Sequence, residues 1–287
     1  MKTILCLTDF TQGAENAAKT AAYFASKLKT NLFVFNSCFT APVVTAYGGG
    51  PWVIDEILER QEQGNHKLKT LKNRLADTMA HRHHDVYHPT IQVECGEGRL
   101  GVNVDEIISE RKVELVVMGA KHGKQIHNFF SGSETVEVIN HAKRPILIVP
   151  ENIELKDIQN VIFATDFNEE DHKALSYLSE IGLKLGFHIE LVHIKLLNKK
   201  TIIPFERKLF LDKVFGAHYS NVSFKEFTGK ELSKRLTALC EGSNIEILAM
   251  MHHQHSFFIR LFQHSVTSEI LTHQTVPLLV IPSGMCN

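Results

Sequence analysis

The residues best suited to chemistry lie between positions 118 and 134, where the sequence reads MGAKHGKQIHNFFSGSE. Glycines in this stretch permit positive φ angles and a close approach of the backbone to a ligand. Ser133 is placed to cap a following helix, and a helix start offers unpaired N–H groups to a phosphate. The glycine spacing differs from a P-loop, and no Ser or Thr follows the lysine. A turn that merely joins a strand to a helix would explain the same glycines, so both interpretations stand.

An acidic residue, Asp9, follows the first apolar run of the chain. Asp often caps the turn that follows it, so alone it says little. Asp9 becomes a candidate ligand contact only if the fold brings it beside Gly119.

Short apolar runs alternate with amphipathic stretches through the first half of the chain, which predicts a parallel, doubly wound α/β sheet with helices on both faces. The expected strands lie near residues 3–8, 31–37, 90–95, 114–118 and 145–149, and the expected helices near 12–29, 53–81, 100–111 and 133–142. In a flavodoxin-like strand order, 3-2-1-4-5, strands 1 and 4 are neighbours at the switch point where ligands bind. Asp9 and Gly119 would then face one crevice.

The chain contains an internal repeat, which decides the architecture. ILCLTDF at 4–10 recurs as VIFATDF at 161–167, and PILIVP at 145–150 recurs as PLLVIP at 277–282. The second copy is 25 residues shorter, and the loss falls between about residues 38 and 90. The sequence therefore predicts two tandem domains, 1–150 and 157–287, each a five-stranded parallel sheet, with a charged linker at 151–156.

These motifs resemble the universal stress proteins in their tandem two-domain form. The resemblance rests on Thr-Asp-Phe after strand 1, Met-Gly after strand 4, Gly-Ser before the last helix and the closing apolar strand. It implies flavodoxin-like domains of the adenine-nucleotide-hydrolase type. Members that bind ATP carry Gly-x2-Gly-x9-Gly-[Ser/Thr]. Here Gly119 and Gly132-Ser133 match the outer positions, while His122 holds the middle one and Gly123 follows it.

The same resemblance implies roles for individual residues of the first copy. Asp9 and the backbone near Ser37 would hold adenosine, and Met118 and Gly119 would flank the ribose. The phosphates would be held by Lys121, Gly123, Gly132, Ser133 and Glu134. ATP, with or without magnesium, is the implied cofactor. No catalytic or metal-binding residue is implied.

The second copy lacks the glycines that such a loop needs. Its matching positions are Met251, Gln254 and His264-Ser265, although Asp166 is kept. A non-glycine residue forced to positive φ costs on the order of 1 kcal/mol, and its side chain fills ligand space. We therefore expect no ATP binding by this route in the second copy.

Histidines are numerous, 17 in all, and they cluster at 81–88 and 252–255. His84 and His88 have the i, i+4 spacing that suits zinc, but Pro89 interrupts the helix and no carboxylate–histidine signature accompanies them. Solvated surface histidines are the simpler interpretation. His141 and His273 hold equivalent repeat positions, which indicates a shared structural role.

The segment Gly48-Gly49-Gly50-Pro51-Trp52 belongs to the stretch that the second copy lacks. A loop longer than its counterpart is often functional, so it could form a flap over the crevice, with Trp52 as a contact. A disordered connection would explain it equally well.

Composition limits the remaining possibilities. Acidic and basic residues nearly cancel, 32 against 31, so no net field attracts nucleic acid or an anionic membrane. No apolar run approaches the roughly 20 residues of a bilayer span, and no signal-peptide cleavage site is recognisable. The five cysteines are scattered, which favours reduced thiols in a cytoplasm over a disulfide framework.

Together with this composition, the resemblance implies a cytoplasmic stress-response protein that binds ATP in its N-terminal domain and acts as a regulator or sensor. No catalytic triad or paired carboxylates can be argued from spacing, which favours binding over rapid turnover. The resemblance implies that the two domains pack as a pseudo-dimer through their last strands, in which Val149 and Ile281 lie, and a homodimer is possible. An interaction protein with two vestigial sites and a slow ATPase remain as alternatives.

Overall fold

The structure is a computed structural model that describes residues 2–38, 51–80, 87–120, 133–155, 157–197, 204–242, 245–252 and 276–286. The first half of the chain, up to residue 150, alternates strands and helices. Its elements are β1 (Thr3–Leu7), α1 (Gln12–Lys27), β2 (Asn31–Cys38), α2 (Pro51–Ala80), β3 (Ile91–Glu97), α3 (Leu100–Glu110), β4 (Val113–Gly119), α4 (Ser133–His141) and β5 (Ile146–Val149).

The second half repeats this alternation. Its described elements are β6 (Asn160–Ala164), α5 (Glu169–Leu185), β7 (His188–Leu196), α6 (Pro204–Gly216), β8 (Val222–Gly229), α7 (Leu232–Gly242), β9 (Ile247–His252) and β10 (Leu278–Pro282), and a 3₁₀ turn follows at Ser283–Cys286.

All ten strands form one sheet in the order β3-β2-β1-β4-β5-β10-β9-β6-β7-β8. Each half has the flavodoxin-like order expected from the sequence, and its strands pair in parallel. The halves join where β5 and β10 pair antiparallel, with Leu147 opposite Leu279. The α/β fold is thus confirmed, but the two expected five-stranded sheets are continuous. Pairing the two last strands leaves neither with an open edge.

Helices cover both faces of this sheet, because alternate strand residues point to opposite sides. Ile4 and Cys6 pack in the core beneath α1, α2, α5 and α6. Leu5 and Leu7 pack in the core beneath α3, α4 and α7. The strands between the two edges of the sheet are therefore buried on both sides, which explains their apolar sequences. The edge strands β3 and β8 are partly exposed.

The segment expected to be a linker packs on α1. Asn16 donates from its amide nitrogen to the carbonyl of Glu151, and Leu155 is buried. The hydroxyl of Tyr23 accepts from the backbone N–H of Asp157 at 3.1 Å. These contacts fix the described part of the segment against the first half.

The expectation of reduced thiols is wrong for Cys38 and Cys95, whose sulfur atoms are in bonding contact across β2 and β3. The register explains the contact: Cys95 lies opposite Asn36, and Cys38 lies two residues further along the same face of β2. Cys6 and Cys240 are buried thiols that form no disulfide bond.

Candidate functional site

The carboxyl ends of β1, β2 and β4 lie side by side in the first half. Leu7 of β1 is in register with Phe35 of β2 on one side and with Met118 of β4 on the other. Asp9, Ser37 and Gly119 each lie one or two residues beyond these partners. The structure therefore brings these three predicted residues to one edge of the sheet, although they are far apart in sequence.

The turn between β1 and α1 holds Asp9 in a fixed place. Phe10 has a positive φ of 64°, and its N–H donates to the hydroxyl of Thr8 at 3.1 Å. The exposed carboxylate of Asp9 accepts from Thr11, from the backbone N–H at 3.1 Å and from the hydroxyl at 2.6 Å. The turn-capping role considered as an alternative for Asp9 is therefore present, and any ligand role would be additional to it.

Gly119 lies where β4 meets the first turn of α1, with no room for a side chain. A Cβ on Gly119 would lie 2.6 Å from the carbonyl carbon of Gly13 and 2.7 Å from the nitrogen of Ala14. A Cβ on Gly13 would lie 3.1 Å from the carbonyl oxygen of Ala120. The two glycines let the positive end of α1 approach the end of β4 closely. Met118, one residue before, is buried beneath them.

The hydroxyl of Ser37 is engaged by the loop that follows β3. It donates to the carbonyl of Gly98 at 2.7 Å and accepts from the side-chain amide of Asn103 at 3.3 Å. Gly98 has a φ of 96°, which favours glycine. These bonds fix the backbone at the end of β2, which is the group that the resemblance assigned to adenosine.

Asn36 is a residue of this edge that the sequence reasoning missed. It is buried, and its side-chain nitrogen donates to the carbonyl of Thr8 at 2.7 Å. The bond ties the end of β2 to the residue just before Asp9. A polar residue that ends the apolar run of 32–35 was the signal that could have revealed it.

The phosphate side of the predicted site is described in part. α4 begins at Ser133, and Glu134 lies in its first turn. Lys121, Gly123 and Gly132 lie outside the described residues, together with His122. The first-half loop therefore stays a prediction beyond Ala120.

The second half reproduces the turn after its first strand. Phe167 has a φ of 67°, and its N–H donates to the hydroxyl of Thr165 at 2.9 Å. The carboxylate of Asp166 accepts from the N–H of Asn168 at 3.2 Å. The repeated sequence thus folds into a repeated turn, with Asp166 in the place of Asp9.

Beyond this turn the two halves differ, and the difference was not foreseen. Asp171 occupies the repeat position of Ala14 and is 1% exposed. One carboxylate oxygen accepts from the hydroxyl of Thr165 at 2.7 Å and from the N–H of Asp166 at 3.2 Å. Burial, and then the negative charge of Asp166, raise the pKa of Asp171 to about 7. Glu170 replaces Gly13 one residue earlier.

Two further replacements complete the contrast. His193 stands in the place of Asn36, donates from Nδ1 to the carbonyl of Thr165 at 2.9 Å and packs against the ring of Phe167. The register of Ala164 with Met250 matches that of Leu7 with Met118, so the buried Met251 corresponds to Gly119. The remaining loop positions, Gln254 and His264-Ser265, lie outside the described residues.

Other candidate groups give no further site in the described part of the chain. There, no three His, Cys, Asp or Glu side chains are placed to hold a metal ion. Of the clustered histidines, His88 and His252 are described and the others are not. His141 bonds the carbonyl of Glu137 through Nδ1 at 2.8 Å, while its repeat partner His273 lies outside the described residues.

The suggested flap at 48–52 also falls mostly outside the described residues, which resume at Pro51. Trp52 lies in the first turn of α2. Among the described residues, no helix combines the length and apolar character needed to cross a membrane.

Comparison with known proteins places these features in context. A universal stress protein of Methanocaldococcus jannaschii is 27% identical over 149 residues, which cover 52% of this chain and 81% of that protein. The crystal structure of a universal stress protein from Archaeoglobus fulgidus aligns with a TM-score of 0.68 at 16% identity, over 98% of this chain and 96% of the other.

A universal stress protein structure from Pseudomonas aeruginosa, described as putative in its own name, aligns with a TM-score of 0.54 at 11% identity, covering 98% of this chain and 92% of the other. At such identities the structural matches show the fold alone. The universal stress protein family itself matches residues 1–150, half of the sequence. The chain therefore belongs to the universal stress protein family.

Proposed function

We propose that this chain is a cytoplasmic stress-response protein that binds ATP in its first half and acts as a regulator or sensor. The site residues of this proposal are Asp9, Ser37, Met118, Gly119, Lys121, Gly123, Gly132, Ser133 and Glu134. We propose binding rather than catalysis, because no catalytic triad or pair of carboxylates can be argued from the spacing of the sequence.

The observation that carries the proposal is the meeting of β1 and β4 at the switch point. Asp9 is exposed there, and Gly119 presents backbone without a side chain beside the first turn of α1. Ligands of open α/β sheets bind beyond the carboxyl ends of strands at this kind of position. The carboxylate of Asp9 offers a hydrogen-bond acceptor for hydroxyl or amino groups. The next helix after Gly119, α4, begins at Ser133.

The second half gives reasons to assign a single site. Its buried Asp171 and its Asp166 place two carboxylates at the start of α5, where the first half has Ala14 and Asp9. Where Asp171 is ionised, above about pH 7, the added negative charge weakens the attraction of this helix start for a phosphate. Met251 replaces Gly119 as well. We therefore expect this half to exclude ATP.

We also propose that 1–150 and 157–287 are the two domains of an intramolecular pseudo-dimer. The antiparallel pairing of β5 and β10 and the equal strand order of the halves support this division. The hydroxyl of Tyr177 in α5 also donates to the carbonyl of Glu114 in β4 at 3.1 Å, which is a further contact between the halves.

The test is a titration of the full chain with Mg-ATP, comparing Asp9→Ala with the matched control Asp166→Ala. Both changes remove a carboxylate that caps the same kind of turn, so their effects on the turn should be alike. Loss of a hydrogen bond to a charged group is worth about 1.5–3 kcal/mol, so Asp9→Ala should weaken binding at least about tenfold. Asp166→Ala should leave the affinity unchanged.

Two outcomes would favour the other functions. No binding at millimolar ATP would favour an interaction protein with two vestigial sites. Release of phosphate that Asp9→Ala abolishes would favour a slow ATPase. Equal losses in both variants would contradict the single site.

A further inference from the structure

We propose that Cys38 and Cys95 are a reversible redox site, which low-molecular-weight disulfides oxidise and thiols reduce, and that oxidation loosens the turn that holds Asp9. The consequence for ATP affinity rests on the proposed function. The redox site itself does not.

The two cysteines are placed to bond without movement of the backbone. Their Cα atoms are 6.6 Å apart, within the range that disulfides span, and their sulfur atoms are in bonding contact. Both side chains leave the same face of neighbouring parallel strands, because Cys95 is in register with Asn36.

The surroundings give the two sulfur atoms different access to reagents. Cys95 is 7% exposed, whereas Cys38, at the end of β2, is only partly buried. α2 covers the pair at Gly64, where a Cβ would lie 2.7 Å from the sulfur of Cys95 and 3.2 Å from that of Cys38. Reagents therefore reach Cys38 first.

Two other cysteines, Cys6 and Cys240, are poorly suited to this chemistry. Cys6 and Cys240 are both buried. Burial raises the pKa of the Cys6 thiol to about 12, so almost no thiolate forms there near neutral pH. Thiolate is the reactive species in exchange with disulfides.

The oxidation proceeds in two balanced exchange steps. The thiolate of Cys38 attacks one sulfur of the external disulfide, forms a mixed disulfide and releases one thiolate. The thiol of Cys95 then loses its proton to solvent and attacks the sulfur of Cys38, which displaces the second thiolate. The protein pair loses two electrons and the reagent gains two. A reducing thiol reverses both steps.

Asn36 connects this pair to the crevice. Its side-chain oxygen lies 3.4 Å from the sulfur of Cys38 and 3.5 Å from that of Cys95, within reach of both S–H donors in the reduced state. Its side-chain nitrogen donates to the carbonyl of Thr8, next to Asp9. A disulfide has no S–H group, so oxidation removes both donors from a buried oxygen. The bond to Thr8 is present with the sulfur atoms in bonding contact, so the two S–H donors that reduction adds would hold this orientation of Asn36 more firmly.

The second half cannot form such a pair. In register with the first half, Lys195 replaces Cys38, Glu226 replaces Cys95 and His193 replaces Asn36. The redox site therefore belongs only to the half that is proposed to bind nucleotide.

The first experiment incubates the reduced full chain with oxidised and reduced glutathione at graded ratios, followed by intact-mass measurement and peptide mapping. We expect loss of two hydrogens, a peptide that links Cys38 to Cys95, and reversal by dithiothreitol. Cys95→Ser should instead accumulate a glutathione adduct on Cys38, and Cys240→Ser should behave like the unaltered chain. Absence of the 38–95 link, or a link that dithiothreitol cannot reverse, would overturn the redox site.

The second experiment tests the connection to the turn without nucleotide. Hydrogen exchange of the peptide that contains Phe10 and Thr11 should be at least threefold faster in the oxidised chain. The Cys38→Ser variant, treated identically, should show no change. Equal exchange in both redox states would overturn the connection while leaving the redox site in place.

The third measurement is the affinity for Mg-ATP in the two states, which we expect to be at least threefold weaker after oxidation. Equal affinities would overturn control of nucleotide binding. If neither state binds ATP, the proposed function fails, while the mass and exchange results still decide the redox proposal.

Discussion

At the scale of single residues, the halves differ most sharply at one position of the first helical turn. Ala14 in α1 is replaced by Asp171 in α5, and the new carboxylate lies buried against Thr165 and Asp166. An ionised carboxylate without a cationic partner is unfavourable in such a place, which is why its pKa is raised to about 7. This residue should therefore control how stability depends on pH.

Asp171→Asn should become progressively more stable than the unaltered chain as the pH rises. The folded protein keeps a proton on Asp171 that the unfolded chain releases near pH 4, so the stability from this proton is complete below that pH. It is lost as the pH rises through about 7. A shift of this size corresponds to about 2–4 kcal/mol between about pH 5 and pH 8.

Urea unfolding of both chains at several pH values measures this difference. The amide of Asn can keep the bond from Thr165, so the variant should fold. A constant gap between the two chains across the pH range would contradict the raised pKa.

Gly119→Ala should destabilise the chain, because the added methyl group meets the backbone of Gly13 and Ala14. Overpacking against backbone that cannot yield typically lowers the free energy of unfolding by about 1–3 kcal/mol. Gly216→Ala is the matched control, because a Cβ there meets nothing within 4 Å. Denaturant midpoints should fall for the first variant only. A similar midpoint for both would show that α1 can move away from β4.

Sequence reasoning reached part of this residue-scale description. The meeting of Asp9 and Gly119 at one edge of the sheet could be predicted, because the strand order places the carboxyl ends of β1 and β4 side by side whatever their distance in sequence. The buried hydrogen bonds of Asn36 and Asp171 could not be predicted. They depend on which side chains meet across the turn, and neither spacing nor periodicity carries that information.

At the scale of elements, the strands of the first half could be predicted to within one or two residues, because buried parallel strands have continuous apolar sequences. The spacing of its alanines predicts helix α1 equally well, and these alanines are buried against the sheet. The charges of the segment that starts at Glu151 predict a linker. The segment docks because Asn16 of α1 donates to one of its backbone carbonyls and because two of its apolar side chains, Ile153 and Leu155, pack against the core. The contact between Cys38 and Cys95 could not be predicted from the sequence either, because it depends on the register of β2 with β3.

At the scale of the whole molecule, the continuous sheet should make the two halves unfold together. β5 and β10 are both central strands, and separating them would expose apolar edges on both sides. Trp52, the single tryptophan, lies in α2 of the first half, whereas circular dichroism reports on both halves. Fluorescence and circular dichroism should therefore give coincident urea transitions. Separate midpoints would show that each half is stable by itself.

The central claim is that a repeated fold carries one nucleotide site, in the first half. Calorimetric titration of the reduced full chain with Mg-ATP tests it most directly. The account predicts one nucleotide bound per chain, lost in Asp9→Ala and kept in Asp166→Ala. Two nucleotides per chain, or one that survives Asp9→Ala and disappears in Asp166→Ala, would contradict it.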